Sequence, residues 1–365
     1  MTDDAKAHGA AHRFAISGTI DEVERFSGGH INESWVVTSS STGGGARWLL
    51  QRLNERVFPR PALVMDNLER VSRHLGDVVR RDAVVDAPRR ALSLIPTVDE
   101  RPWLVDGDGG HWRLFPFIER AISRQRPADA GEAYEAARAF GIFQRWMGEY
   151  RGPRLHETIP GFHDTPARLA ALERAAERDA AGRAALCARE LRRVSECRDL
   201  AGALVERQRR GELPERVAHN DAKMSNVLLD ARTGEGLCVV DLDTVMPGLA
   251  LSDFGDMARS MSGTADEDEP DAARMTVRAD VFAAAARGWL DGAGDVISSA
   301  ERALLVTAAR VITFEQGLRF LTDFLDGDRY YTVSRPAHNL DRARAQFALV
   351  DAFTRDEREL VRLVR

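Results

Sequence analysis

The spacing of apolar positions changes once along this chain, near residue 120. Before that point the pattern is short and strand-like. Thr19 to Phe26 alternates imperfectly, Glu33 to Thr38 is rich in β-formers, and Trp48 to Leu53 is a third short apolar run. These predict three strands, joined through Ser27-Gly28-Gly29-His30 and through the flexible Ser39 to Gly45. Leu68, Val71 and Leu75 recur at helical spacing and predict an amphipathic helix over 61–76. Ala91 to Ile95, Trp103 to Val105 and Trp112 to Ile118 read as further short strands. Pro116 argues against a central place for the last of these.

After residue 120 the period becomes helical. Tyr134, Ala137, Phe140 and Phe143 fall on one face, and 165–210 is dense in Ala, Arg, Glu and Leu, as suits helices with solvated outer faces. Helices are predicted again near 272–292, 299–325 and in the C-terminal tail. Two strand-like pieces, Val227 to Leu229 and Leu237 to Val240, interrupt them. The expected architecture is α+β, with a small β-rich N-terminal lobe over 14–119 and a larger, mainly helical lobe over 120–365. No internal repeat is visible.

The second strand-like piece and the loop before the first frame a polar motif. Residues 219–226 read His-Asn-Asp-Ala-Lys-Met-Ser-Asn, and Asp-Leu-Asp follows at 241–243. Phosphoryl transfer asks for these parts: an acid to take a hydroxyl proton (Asp221), a cation for the phosphate (Lys223), and oxygen ligands for a hard metal ion (Asn226, Asp241). Protein kinases carry the same residue types in the same order. Asp243 lies on the same side of a strand as Asp241, because side chains alternate with period two, and is a candidate second metal ligand or acceptor contact. His219 is expected to pack and fix the loop. Only two of the 51 basic residues are lysine, Lys6 in the polar N-terminal tail and Lys223 in the motif. A chain that otherwise uses arginine places a compact point charge where a phosphate could meet it.

Composition narrows the partners. With 44% hydrophobic and 30% charged residues over 365 positions, the chain has the make-up of a soluble globular protein with length for two lobes. A net charge of −6 argues against nucleic acid as the main partner and leaves room for a nucleotide handled locally. Cys187, Cys197 and Cys238 have no metal-type spacing and are expected as reduced thiols. With no hydrophobic N-terminal segment and no apolar run long enough to span a bilayer, a cytoplasmic protein without membrane partners is expected, as a monomer or weak homodimer.

Together these motifs resemble the aminoglycoside phosphotransferase and choline kinase superfamily, which implies a protein-kinase-like two-lobed fold. Within it, three runs resemble the N-acetylhexosamine 1-kinases: Gly29-His30-Ile31-Asn32-Glu33-Ser34-Trp35, Leu50-Gln51-Arg52-Leu53-Asn54, and Val240 to Gly248 (Val-Asp-Leu-Asp-Thr-Val-Met-Pro-Gly). Asp253 to Arg259, Arg319 to Asp323, Asp326 to Tyr331 and His338 to Leu340 extend the likeness over about residues 20 to 350. The resemblance implies an ATP- and Mg2+-dependent kinase that phosphorylates the anomeric hydroxyl of N-acetylglucosamine or N-acetylgalactosamine. It implies Asp221 as base and Asn226 and Asp241 as metal ligands. The sugar would lie against His30, Asp243, Arg319 and Tyr330, and the nucleotide against Gly28, Gly29, Phe117 and Glu119. Such a fold usually has a phosphate-binding lysine on the third strand. Here the candidate is Arg52, with Glu69 as its expected partner. A related kinase for an aminoglycoside, choline, homoserine or another small alcohol is the alternative, and the acidic run Asp266 to Glu269 is expected to be a solvated loop.

Overall fold

The computed structural model describes residues 2–27, 31–41 and 44–364. In chain order the elements are α1 (Asp3–Ala11), β1 (Thr19–Arg25), β2 (Glu33–Ser41), β3 (Gly44–Arg52), α2 (Pro61–Arg81), β4 (Leu104–Val105), β5 (His111–Pro116) and β6 (Ala121–Ile122). They continue with α3 (Ala130–Gly148), α4 (Thr165–Arg178), α5 (Ala188–Glu196), α6 (Val205–Arg209), β7 (Arg216–Ala218), β8 (Val227–Asp230), β9 (Gly236–Val239) and β10 (Met246–Gly248). The remainder is helical: α7 (Ala250–Ser262), α8 (Ala279–Ala293), α9 (Ser299–Arg302), α10 (Leu305–Leu325), α11 (His338–Arg355) and α12 (Glu357–Leu363). Two compact units result. The first joins 1–121 with 149–160 and 237–246, and the second holds 122–148, 161–236 and 247–365.

The first unit is built on a sheet of order β1-β2-β3-β5-β4 with every neighbour antiparallel. Its register aligns Trp35 with Leu50, Leu50 with Leu114 and Arg52 with Trp112. Because side chains alternate across a strand, Trp35, Val37, Leu50, Trp112 and Leu114 all fall on one face. They are buried there against Ala7, Ala10, Ala11 and Phe14. The N-terminal segment expected as a polar tail therefore contains a helix. Its buried face is only alanine, too small to register as a hydrophobic stripe. Asp4 accepts a hydrogen bond from the Trp35 indole at 2.9 Å, and Lys6 pairs with Asp108 at 2.6 Å.

Two strand expectations need correction. Residues 91–95 form no strand; Pro88 and Pro96 flank them, and Ile95 makes one backbone bond to Leu114. By contrast β5 is an inner strand between β3 and β4. Pro116 is compatible with that place because it is the last residue of β5, opposite Trp48, where a missing N–H removes little of the ladder.

The second unit is helical. α3 and α8 approach backbone to backbone: a Cβ on Gly141 would lie 2.3 Å from the Trp289 carbonyl oxygen, and one on Gly288 would lie 2.2 Å from that of Tyr134. α10 packs on α4, α7 and α11. Leu169, Leu172, Leu318, Leu321, Phe347 and Val350 are among the side chains buried between these elements. Among the described residues the three cysteines are free, and no helix is long and apolar enough to cross a membrane.

Candidate active site

In the second unit β7 delivers the motif as an ordered loop. His219 is fully buried, with the rings of Phe140 and Phe143 edge-on at 5.4 and 5.8 Å. Asn220 has φ +64, a left-handed conformation that Asn tolerates better than most residues. The turn is held from α7. The Asp253 carboxylate accepts the backbone N–H groups of His219 and Asn220 at 2.8 and 2.7 Å. A second brace comes from His163, whose Nε2 lies 2.9 Å from the Asn220 carbonyl and whose Nδ1 lies 2.7 Å from Glu315 Oε1. Both partners are acceptors, so both ring nitrogens donate and the imidazole is cationic. Burial pushes the His163 pKa down, but Glu315 and the Asn220 carbonyl outweigh it and leave it raised.

Asp221, Lys223 and Asn226 come together as the sequence anticipates. Asp221 Oδ2 accepts from Lys223 Nζ and from Asn226 Nδ2, each at 2.8 Å. Burial raises the Asp221 pKa, yet Lys223, His219 and Asn226 outweigh it and hold the group at about 2. Asp221 is thus a carboxylate at any working pH, suited to orient a hydroxyl and a weak base in the Brønsted sense. A loose phosphoryl-transfer transition state asks little more. The Asn226 amide nitrogen also donates to the Asp221 backbone carbonyl at 2.8 Å. Its donors are committed to Asp221, which leaves Oδ1 as the group able to meet a cation. Asp241, in the first unit, follows β9 with φ +61. Among the described residues no three His, Cys, Asp or Glu side chains converge on a metal-sized site. The Asn226 amide oxygen and the Asp241 carboxylate are each hard oxygen donors of the kind Mg2+ takes beside waters and substrate phosphates.

Arg319 on α10 and Tyr330 lie in the second unit with Asp221. The Arg319 guanidinium sits over Phe162 at 5.0 Å and over Tyr331 at 5.8 Å, and Nη1 donates to Gln316 at 3.1 Å. Among the described residues no carboxylate pairs with it. Burial opposes its charge, but Tyr331, Tyr330, Glu315 and Asp221 keep it firmly protonated. Tyr330 is exposed and edge-on to Tyr331 at 4.8 Å. Asp323 orders this loop by accepting the backbone N–H groups of Arg329, Tyr330 and Tyr331 at 2.8, 2.8 and 2.9 Å. The acidic run is neutralised: Asp266 pairs with Arg126, Glu267 with Arg259, Asp268 with Arg335 and His338, and Glu269 with Arg274.

In the first unit the expectations hold less well. Gly28, Gly29 and His30 lie outside the described residues. Phe117 stacks under Arg47 at 4.3 Å, and Glu119 is paired with Arg47 while its carbonyl accepts from Arg89. The expected Arg52–Glu69 pair is absent. Arg52 lies on the face that α1 covers, over Trp112 at 5.7 Å and within ion-pair distance of Asp3 and Glu33, while Glu69 pairs with Arg73. The opposite face carries its neighbour Gln51, aligned with Arg113 of β5. Asp243 also has a partner other than those expected. Its carboxylate is 2% exposed and paired with Arg113, and Asn32 donates to it at 2.6 Å.

Sequence reading missed the supporting residues His163, Glu315, Asp253 and Asp323. One signal was available for Asp253 and Glu315, an acid on a helix with an apolar residue (Phe254, Phe314) beside it.

Residues 22–292 match the phosphotransferase enzyme family, whose short name is APH. The chain belongs to this family. Solved structures agree on the fold at low identity. A spectinomycin phosphotransferase in complex with ADP and spectinomycin aligns with a TM-score of 0.60 and 11% identity, covering 97% of this chain and 99% of that one. A microcompartment-associated aminopropanol kinase aligns with a TM-score of 0.57 and 15% identity, covering 98% of each chain. The choline kinase of Cryptosporidium parvum Iowa II gives 0.56 and 14%, over 99% and 97%. This member of the phosphotransferase enzyme family thus has a kinase-like α+β fold.

Proposed function

We propose that this phosphotransferase is an ATP- and Mg2+-dependent kinase that phosphorylates the anomeric hydroxyl of an N-acetylhexosamine, giving the sugar 1-phosphate. The resemblance of the 240–248 run and of the Arg319 and Tyr330 stretches supports the sugar class. The observation that carries the choice of acceptor is Arg319. Among the described residues its guanidinium has no carboxylate partner, and Asp221 is near enough to help keep it charged. A cationic acceptor such as choline, aminopropanol or an aminoglycoside would meet a like charge there. A neutral sugar supplies hydroxyl and amide oxygens that an arginine fork can serve. The acidic run offers no compensating cage, since its carboxylates are already paired with arginines.

In this reading the anomeric oxygen bonds to the γ-phosphorus as the bridging P–O bond to ADP breaks. Asp221 orients the hydroxyl and receives its proton, and Lys223, held on Asp221, sets its positive charge against the phosphoryl oxygens. Asn226 and Asp241 would supply oxygen ligands to Mg2+, which would neutralise charge on the phosphates. Arg319 and Tyr330 hold the sugar, together with His30. Phe117, Glu119, Gly28 and Gly29 serve the nucleotide.

The test is an acceptor panel scored by ADP release, with N-acetylglucosamine, N-acetylgalactosamine, choline, aminopropanol and spectinomycin. An N-acetylhexosamine is expected to give the highest kcat/KM and an anomeric phosphate by 31P NMR. Faster turnover of any cationic acceptor would refute the assignment. Asp221→Asn should lower kcat by about 10²–10⁴-fold with nucleotide binding retained.

A further inference from the structure

Asp243 was a candidate for binding metal or acceptor, yet the first unit encloses it. Arg113 projects from β5 on the face opposite α1 and is itself 2% exposed. Its Nε and Nη2 donate to Gln51 Oε1 at 3.0 and 2.8 Å, and Nη1 and Nη2 fork onto the two carboxylate oxygens of Asp243. Asn32 adds a bond to Oδ2 at 2.6 Å and accepts the Asn54 backbone N–H at 3.0 Å. Gln51 is held in turn, donating to Ser34 at 3.1 Å. The backbone is pinned as well. Thr158 donates to the Asp243 carbonyl at 3.1 Å, and Asn67 of α2 donates to the Val245 carbonyl at 3.1 Å and to that of His156 at 2.8 Å. All of these groups belong to one compact unit.

Two residues earlier is Asp241, whose left-handed backbone opens the short turn 242–244. A non-glycine residue persists there only when its surroundings over-determine it. A buried ion pair is a poor source of stability compared with apolar side chains of the same volume, and its best-attested use is to fix one arrangement among several. A forked arginine gives that fixity, because its planar donors match a carboxylate in one orientation.

We propose that Arg113 and Asp243 form a positioning pair that sets the left-handed turn presenting Asp241, and that Asp243 takes neither metal nor acceptor. The proposal rests on the reading of Asp241 as a magnesium ligand. It also explains Arg52. The first unit does supply an arginine on the face of the sheet opposite α1, from β5, and uses it to hold a carboxylate.

Substituting Arg113 separates the two roles of Asp243 by the sign of the effect. If Asp243 bound the metal, Arg113→Met would remove a competing cation and tighten magnesium binding. If the pair positions Asp241, Arg113→Met weakens it as Asp243→Asn does. The experiment measures binding of a fluorescent ATP analogue to the full chain as Mg2+ is titrated, with no acceptor present, for both single variants, for Arg113→Lys, and for Arg113→Met/Asp243→Leu. The last removes both buried charges together and so avoids an unpaired one if a single variant fails to fold. Each single variant is expected to raise the half-saturating Mg2+ about tenfold or more. Arg113→Lys, which keeps the charge and loses the fork, should fall between wild type and Arg113→Met, and the double variant should also need more Mg2+ than wild type, though no more than Asp243→Asn. Unchanged or tighter magnesium dependence in Arg113→Met or in the double variant would overturn the proposal alone. An unchanged magnesium dependence in Asp241→Asn would overturn the reading of Asp241, and the proposal with it.

Discussion

Glu315→Gln tests the brace behind the catalytic loop. Glu315 is 2% exposed and His163 14% exposed, and Thr165 donates to the second Glu315 oxygen at 2.6 Å. The substitution keeps the shape and removes the charge. Losing one partner of a buried pair costs about 3–5 kcal/mol, and the amide retains hydrogen-bonding capacity, so the lower end, about 3 kcal/mol, is the expectation. For a unit of this size that corresponds to a fall in Tm of roughly 6–12 °C. The effect has a pH signature. The His163 pKa is raised above 6.5, so its contribution is complete below 6.5 and is lost as pH climbs through the raised value. The Glu315 pKa is depressed below 4.5, because its pairing with His163 and Thr165 outweighs burial, so its contribution is complete above 4.5 and is lost as pH falls through the lowered value. The Tm difference between wild type and Glu315→Gln should therefore be largest between about 4.5 and 6.5 and shrink toward alkaline pH, where wild type also loses the imidazolium. Differential scanning calorimetry at half-unit pH steps measures it. A difference of constant size from pH 5 to 9 would refute a cationic His163.

Other expectations follow from packing and from the corrected face of the sheet. Gly288→Ala gains about 1 kcal/mol of helix propensity, but its Cβ would stand 2.2 Å from the Tyr134 carbonyl. Overpacking costs about 1–3 kcal/mol, so thermal denaturation should show a net loss; a raised Tm would mean that α3 and α8 can separate freely. Arg319→Ala should raise the acceptor KM about ten- to a hundredfold with the ATP KM unchanged, and an effect confined to ATP would move Arg319 to the nucleotide. Arg52→Gln should leave the ATP KM within about twofold, as expected of an exposed-rim ion pair worth less than about 1 kcal/mol. A tenfold rise in the ATP KM would restore Arg52 to the phosphate site.

The candidate catalytic loop was legible as a cluster because its residues are local. Asp221, Lys223 and Asn226 lie within six residues, so their order already states their proximity, and the structure closes the other two onto the Asp221 carboxylate. The supports were not legible for the opposite reason. Asp253 reaches back over more than thirty residues to the loop, and Glu315 meets His163 across about 150, distances over which no periodicity carries information. The α1 helix escaped notice because alanine buries well against Trp35 and Trp112 without raising local hydropathy.

Arg52 is the more instructive case, since the strand itself was correctly placed while the expected Glu69 partner was not. Successive side chains on a strand face opposite ways, so choosing the basic residue at the end of β3 rather than its neighbour exchanges one face of the sheet for the other. Composition favoured Arg52 because it is charged. Register decides against it, because Arg52 is aligned with Trp112, whose indole lies in the core under α1. Gln51, aligned with Arg113, occupies the other face and bonds that arginine as it grips Asp243. The alternating burial of β2 contained the needed constraint. Trp35 and Val37 mark the core face, and across the β2–β3 register Arg52 pairs with Glu33, two residues from Trp35 and therefore on that same side. A candidate site residue on a strand is thus tested first against the parity of its apolar neighbours, and only then against its charge.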